Sequence, residues 1–254
     1  MDTTGRFNGL ADVYTAGRPA YAAGLIDHLY ARYGFREESV IADIGAGTGK
    51  LSERLLDRGS TVYCVEPNPD MRDEAIKALG SYDRAHVIDG TAADTGLKDR
   101  SVDFITVAQA FHWFDPLLFK KECKRILRGD GLVCLIWNMR DMSSEVNVKN
   151  QEIFSRYCPR FKGFGGGIGQ DDIRIRQFFA ERYTYIEFDH PLVYDRETFI
   201  CRCLSGSYSL QSGDAGYDRY REALCALYEQ YAEDGQLVMA NKTVAYLGKV
   251  EDQA

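Results

Sequence analysis

A chain of 254 residues with 45% hydrophobic and 27% charged side chains can bury a large core without metals or disulfides to hold it. It contains no apolar run of about 18 residues, the length a membrane-spanning helix needs, and its net charge of −7 gives no general attraction to a phosphate backbone. Neither nucleic acid nor membrane is therefore an expected partner. The start Met1-Asp2-Thr3-Thr4-Gly5-Arg6, in which no basic stretch leads into an apolar one, predicts a cytoplasmic protein.

From residue 40 to about 138, short apolar runs alternate with helix-period segments, the pattern of βαβ units around a parallel sheet. Val40-Ile41-Ala42-Asp43-Ile44 reads as a buried first strand, and Leu51, Leu55 and Leu56 follow at helical spacing before Gly59 stops that helix. Thr61-Val62-Tyr63-Cys64-Val65-Glu66 supplies a second strand, residues 70–79 a helix, 85–89 a third strand, 102–108 a fourth and 115–127 another helix. The turn Gly129-Asp130-Gly131 leads into Leu132-Val133-Cys134-Leu135-Ile136-Trp137, whose unbroken apolar character suits a strand covered on both faces. Beyond Asn138 the rhythm changes. Helix-like stretches between 143 and 182 are interrupted by the glycine-rich segment 163–169, readable as a lid or as a plain connection. Residues 183–188 read as a sixth strand, 196–203 and 217–231 as helices, and 243–247 as a last strand. The cysteine count is odd, and Cys201-Arg202-Cys203 lacks the spacer and the second ligand pair of a zinc site, so reduced thiols and no metal are expected.

The chemistry concentrates after the first strand. Gly45-x-Gly47-x-Gly49 forms a strand-to-helix turn that lets backbone approach a ligand closely. The third glycine of the dinucleotide fingerprint would fall at position 50, which is Lys50, and no Lys-Ser or Lys-Thr follows at P-loop spacing, so neither of those nucleotide loops fits. Asp43 precedes the turn, and Glu66 ends the second strand, where a carboxylate can accept both hydroxyls of a ribose. A nucleoside site is the reading these residues support.

In this acid-plus-glycine turn and its ribose acid the sequence resembles the class I S-adenosylmethionine-dependent methyltransferases. That resemblance implies a Rossmann-like α/β fold, with a seven-stranded, mostly parallel sheet, helices on both faces, an antiparallel last strand and a small helical cap. It also implies cofactor contacts from Asp43, Gly45, Ala46, Gly47, Gly49, Glu66, Pro67, Asn68 and Met71, and from Gly90, Thr91 and Ala92 at the adenine end. Ala108-Gln109-Ala110-Phe111-His112-Trp113-Phe114, Trp137-Asn138, Tyr14-x-x-x-Arg18-Pro19 and Ser205-Gly206-Ser207-Tyr208 look more narrowly like the trans-aconitate methyltransferase-like branch of the type 11 family. By that resemblance Tyr14 and Arg18 close over the methionine part of the cofactor, Arg18 meets its carboxylate and Gln109 stands near its amino group. The chain is expected to be a single domain over 1–254. Its core would be 36–138, 183–189 and 242–248, with cap and acceptor-binding additions at 1–35, 139–180 and 196–235. The expected reaction is methyl transfer to an oxygen or nitrogen of a small molecule, a carboxylate among the candidates, with S-adenosylhomocysteine as product. Phe111, Trp113 and Tyr208 are the expected acceptor contacts. His112 is readable as a general base or as part of an aromatic wall. A cofactor-binding module without transfer, a methyltransferase acting on a macromolecule and a dehydrogenase remain as alternatives.

Overall fold

The computed structural model describes residues 19–164, 172–206 and 208–250. Tyr14, Arg18, Ser207 and the glycines from 165 to 169 lie outside the described residues. Along the chain come α1 (Ala23–Arg32), β1 (Val40–Ile44), α2 (Lys50–Leu56), β2 (Thr61–Val65), α3 (Pro69–Leu79), β3 (Ala85–Ile88), β4 (Val102–Ala108), α4 (Pro116–Ile126) and β5 (Leu127–Arg140). Then follow α5 (Glu145–Tyr157), α6 (Ile173–Phe178), β6 (Thr184–Asp189), β7 (Leu192–Tyr194), α7 (Arg196–Leu204), α8 (Tyr217–Tyr231), β8 (Leu237–Met239) and β9 (Asn241–Gly248).

Seven strands form one sheet in the order β3-β2-β1-β4-β5-β9-β6. The pairs among β1 to β5 are parallel, whereas β9 runs antiparallel to both β5 and β6. This is the mostly parallel sheet with an antiparallel last strand that the family resemblance implies. Strand side chains alternate between faces, so Ala42 and Ile44 enter one buried layer with Val107, Phe111 and Trp137. Ile41 enters the opposite layer with Val62, Cys64 and Ile136. The sheet order reverses between β1 and β4, and in such sheets the crevice beyond the carboxyl ends of the strands at that point takes the ligand.

Three features depart from the sequence reading. Residues 23–32, expected among the additions over the site, form α1, whose buried Leu25, Ile26 and Leu29 complete a sheet face. β5 starts at Leu127 rather than at 132, and its pairing skips from Val102–Leu127 to Phe104–Leu132 around the glycine stretch. Gly131 is required there, because a Cβ would lie 2.6 Å from the Asp103 carbonyl. The separate two-stranded sheet of β7 and β8 was not foreseen, since three-residue strands carry too few positions for a period to show. Beyond the sheet, Phe154, Phe199, Tyr220, Leu224 and Leu237 anchor a third apolar cluster shared by α5, α7, α8 and β8. Among the described residues no helix is long and apolar enough to cross a membrane.

Candidate cofactor and acceptor site

The turn after β1 is clipped to the end of β2, where the N–H groups of Gly45 and Ala46 both donate to the Val65 carbonyl, at 2.8 and 3.2 Å. All three glycines have positive φ, but the reasons for glycine differ. A Cβ on Gly45 would come within 2.6 Å of Ala110 Cβ, and one on Gly49 within 2.8 Å of Leu79 Cδ1, so both positions are closed by packing. A Cβ on Gly47 would meet nothing within 4 Å. That glycine faces open space, and its N–H donates to Glu66 Oε2 at 2.9 Å.

Glu66 Oε1 accepts a second backbone bond, from Asn68 N–H at 2.9 Å. Burial raises the Glu66 pKa, and the two N–H donors and the Arg72 guanidinium oppose that rise. An ionised carboxylate has about four lone-pair directions, so capacity remains for a pair of hydroxyls. Asp43 is 1% exposed and accepts from Ser52 Oγ at 2.6 Å and Thr106 Oγ1 at 2.9 Å. Burial pushes its pKa up to about 6 against those two hydrogen bonds.

Asn68 caps α3 by accepting from Met71 N–H at 3.0 Å, with Pro69 at the first helical position. Met71 is 3% exposed, so it supports the wall with little free surface. Gly90 admits no side chain, since a Cβ would lie 2.8 Å from the Thr95 carbonyl and 2.9 Å from Val65 Cγ1. Thr91 closes a small loop through Asp94 N–H at 3.1 Å, and Ala92 packs partly against the core. Arg72 holds these two strand exits together: its Nη1 donates to the carbonyls of Glu66 at 3.0 Å and Pro67 at 2.7 Å and pairs with Asp89 at 3.0 Å. Sequence reasoning missed Arg72, because no spacing rule links it to residues on two other elements.

At the exit of β4, Gln109 is a non-glycine residue at φ +58°. Such backbone costs about 1–3 kcal/mol and collects at functional sites. Its N–H is held by the Ile136 carbonyl at 2.9 Å, and its Nε2 approaches the Asn138 carbonyl at 3.4 Å. The turn Phe111–Trp113 follows. Phe111 is 1% exposed and packs against Phe119, Trp137 and Phe178, so it lies within the core behind the site. Trp113 is 39% exposed, and the His112 ring sits 4.7 Å from the indole. Tyr208 stands apart from these, packed on the third apolar cluster against Phe154 and Phe161.

Asn138 links the two ends of the chain. Its Nδ2 donates to the Ala20 carbonyl at 2.9 Å, and its Oδ1 accepts from Thr243 Oγ1 at 2.6 Å. Thr243 accepts in turn from Ala22 N–H at 2.9 Å, and His190 Nε2 lies 2.9 Å from the same Ala20 carbonyl. Residues 19–22, directly after Arg18, are thereby fixed beside the carboxyl end of β5. Although Trp137-Asn138 was legible as part of a family pattern, nothing in the sequence assigned Asn138 this task.

The profile of a methyltransferase domain matches residues 42–135, which include the glycine turn, Glu66 and the exit of β4. An uncharacterized methyltransferase-like protein of Schizosaccharomyces pombe is 36% identical over 192 residues, covering 71% of this chain and 73% of that protein. The chain belongs to the methyltransferase family. An uncharacterized methyltransferase of Mycobacterium tuberculosis is 42% identical over 135 residues, 53% of each chain, so the match spans about half the length of that relative. Among solved structures, one assigned as a type II methyltransferase from Anaeromyxobacter dehalogenans superposes with a TM-score of 0.64 at 19% identity, covering 91% of this chain and 97% of that one. The YcgJ protein of Bacillus subtilis superposes at 0.57 and 16% identity, covering 91% and 100%. At these identities the likeness is one of fold, and the fold is that of class I methyltransferases. The family's cofactor is S-adenosylmethionine, released as S-adenosylhomocysteine. The open face of Gly47 and the spare lone pairs of Glu66 fit its nucleoside.

Proposed function

We propose that this methyltransferase passes a methyl group from S-adenosylmethionine to an oxygen or nitrogen of a small molecule by in-line displacement. The observation that carries the reading is the pairing of Gly47 with Glu66: an open glycine whose N–H donates to a buried carboxylate at 2.9 Å. When bound, the cofactor supplies a methyl carbon already made electrophilic by the sulfonium. The chain then has to bind, orient and exclude water. Glu66 is assigned to the ribose hydroxyls, Pro67, Asn68 and Met71 to the wall beside them, and Gly90, Thr91 and Ala92 to the adenine end. Asp43, Gln109, Tyr14 and Arg18 are assigned to the methionine end, and Gly45, Ala46 and Gly49 to the shape of the turn. The sheet core is the cofactor half, and the cluster built by α5, α7 and α8 is the acceptor half. A net charge of −7 favours a small acceptor over nucleic acid.

His112 has a role only if the acceptor must lose a proton. A carboxylate needs no base, whereas a phenol or hydroxyl gains from a neutral imidazole beside it. His112→Ala is expected to leave S-adenosylhomocysteine affinity within about twofold, by calorimetry, while slowing transfer to hydroxyls. A large loss of cofactor affinity would place His112 in the cofactor site instead. The overall reading is tested by titrating S-adenosylhomocysteine against NADH and then screening labelled methyl transfer to acids, phenols, quinones and amines, with Asp43→Ala as the blank. Tight NADH binding would sink the assignment. Binding of S-adenosylhomocysteine without turnover on any acceptor would favour a binding module.

A further inference from the structure

The cap holds a positive charge that the cofactor site does not use. Arg140 ends β5 on the strand face it shares with Asn138, and its guanidinium turns into the cap, with Cζ 3.6 Å from the centroid of the Phe164 ring. Arg202 of α7, Tyr208, Cys203 and Tyr194 are close enough to act on its charge. Burial, with repulsion from Arg202 second, pushes the Arg140 pKa down to about 10. Many arginines of this acidic chain find a carboxylate: Arg58 meets Asp27, Arg72 meets Asp89, Arg125 meets Asp99 and Glu122, and Arg128 meets Asp103. Among the described residues neither Arg140 nor Arg202 has an acid partner. Enclosing one guanidinium near another costs free energy that, among the described residues, the Phe164 ring offsets only in part, and such arrangements persist where a ligand completes them.

We propose that Arg140 and Arg202 hold a carboxylate of the methyl acceptor, which is a small organic acid anchored by that carboxylate and methylated at a second group. This rests on the methyl-transfer reading above. Guanidinium forks match a carboxylate in two parallel hydrogen bonds, and the ring of Phe161, packed against both Phe164 and Tyr208, offers with them an apolar wall for the rest of the molecule. Register separates the anchor from the chemistry. Ala108 pairs with Ile136, and Arg140 lies four residues further along β5, a distance of about 13 Å at ~3.3 Å per residue. A carboxylate clamped there stands away from the exit of β4, and its lone pairs are engaged by donors, which leaves it a poor nucleophile. A hydroxyl or amine at the other end of the acid would reach the site beside Gln109 and His112.

Binding is read without turnover first. With S-adenosylhomocysteine saturating, 4-hydroxyphenylalkanoic acids and ω-hydroxy and ω-amino acids of three to ten carbons are compared with their primary amides by calorimetry and thermal melting. We expect at least one acid to bind and raise the melting temperature, and its amide to bind at least tenfold more weakly. Arg140→Gln should weaken acid binding at least tenfold, Arg140→Lys less, and Arg202→Gln in the same direction. Affinity for S-adenosylhomocysteine should stay within twofold in every variant, which also shows that each has folded. In turnover the methyl group should appear on the hydroxyl or amine, with the carboxylate free. Amides that bind as well as acids, an unchanged affinity in Arg140→Gln, a methyl ester product, or no binding by any acid while S-adenosylhomocysteine binds would each overturn the proposal. Failure of the wild-type protein to bind S-adenosylhomocysteine would instead sink the methyl-transfer reading beneath it.

Discussion

Gly47 differs from its two neighbours in the turn because open space, and not packing, lies where its Cβ would be. Gly47→Ala must hold alanine at φ +58°, a strain of about 1–2 kcal/mol, and sets a methyl group where the ligand would approach. Its main effect should fall on S-adenosylhomocysteine affinity, by tenfold or more in calorimetry. Gly49→Ala instead drives a Cβ against Leu79 and should lose about 1–3 kcal/mol of stability, read from a urea transition. If the two variants behaved alike, the division between a packing glycine and a ligand-facing glycine would be wrong. Asp43 makes a second prediction at this scale. Its native pKa of about 6 stands above the ordinary 3.8, so between those values the folded state holds a proton that the unfolded state has lost. Stability of the ligand-free protein should therefore fall as pH rises from 4 to 6, by on the order of 3 kcal/mol from this group. Asp43→Asn should remove the share of that slope due to Asp43, leaving only what Glu66, also raised by burial, contributes, and an unchanged slope would assign it to other groups.

At the scale of elements, the segment 19–22 has no regular structure, and its place is set by side chains from β5, β9 and the loop at His190. Asn138→Ala removes one of two partners of the Ala20 carbonyl, which keeps His190, and the acceptor for the buried Thr243 hydroxyl, a loss of about 1–3 kcal/mol. Amides of residues 20–24 should then exchange faster with solvent. If Arg18 acts on the cofactor, S-adenosylhomocysteine affinity should fall about tenfold with them. Faster exchange with unchanged affinity would show that this segment takes no part in cofactor binding. The strands and their connecting helices were legible in the sequence because each carries its own pattern: a run in β1 that is apolar but for Asp43, and Leu51 and Leu55 one helical turn apart in α2. The β7–β8 pair was not, since its residues acquire meaning only when Leu192 meets Met239 and Tyr194 meets Leu237.

For the whole molecule, the clusters on the sheet are separate from the one built by α5, α7, α8 and β8, so a cofactor bound at the sheet, as proposed, should stabilise the chain without acceptor. S-adenosylhomocysteine at about 100 times its dissociation constant contributes ~2.7 kcal/mol, which for a chain of this size is a rise of roughly 5–10 °C in melting temperature. NADH at the same concentration should give none, and equal shifts from both would contradict the cofactor assignment. The sequence by itself determined the parallel α/β sheet, the glycine turn and the acid at the end of β2, because apolar alternation, turn chemistry and a carboxylate at a strand end are properties of a few consecutive residues. Tertiary structure alone decided which glycine of the turn faces open space, that Arg72 ties two strand exits together, and that Asn138 meets Thr243 across 105 residues of chain. It also brought Arg140 near Arg202, neither with an acid partner among the described residues. Each of these depends on which distant segments are pressed together when the apolar faces are buried, and no local period records that.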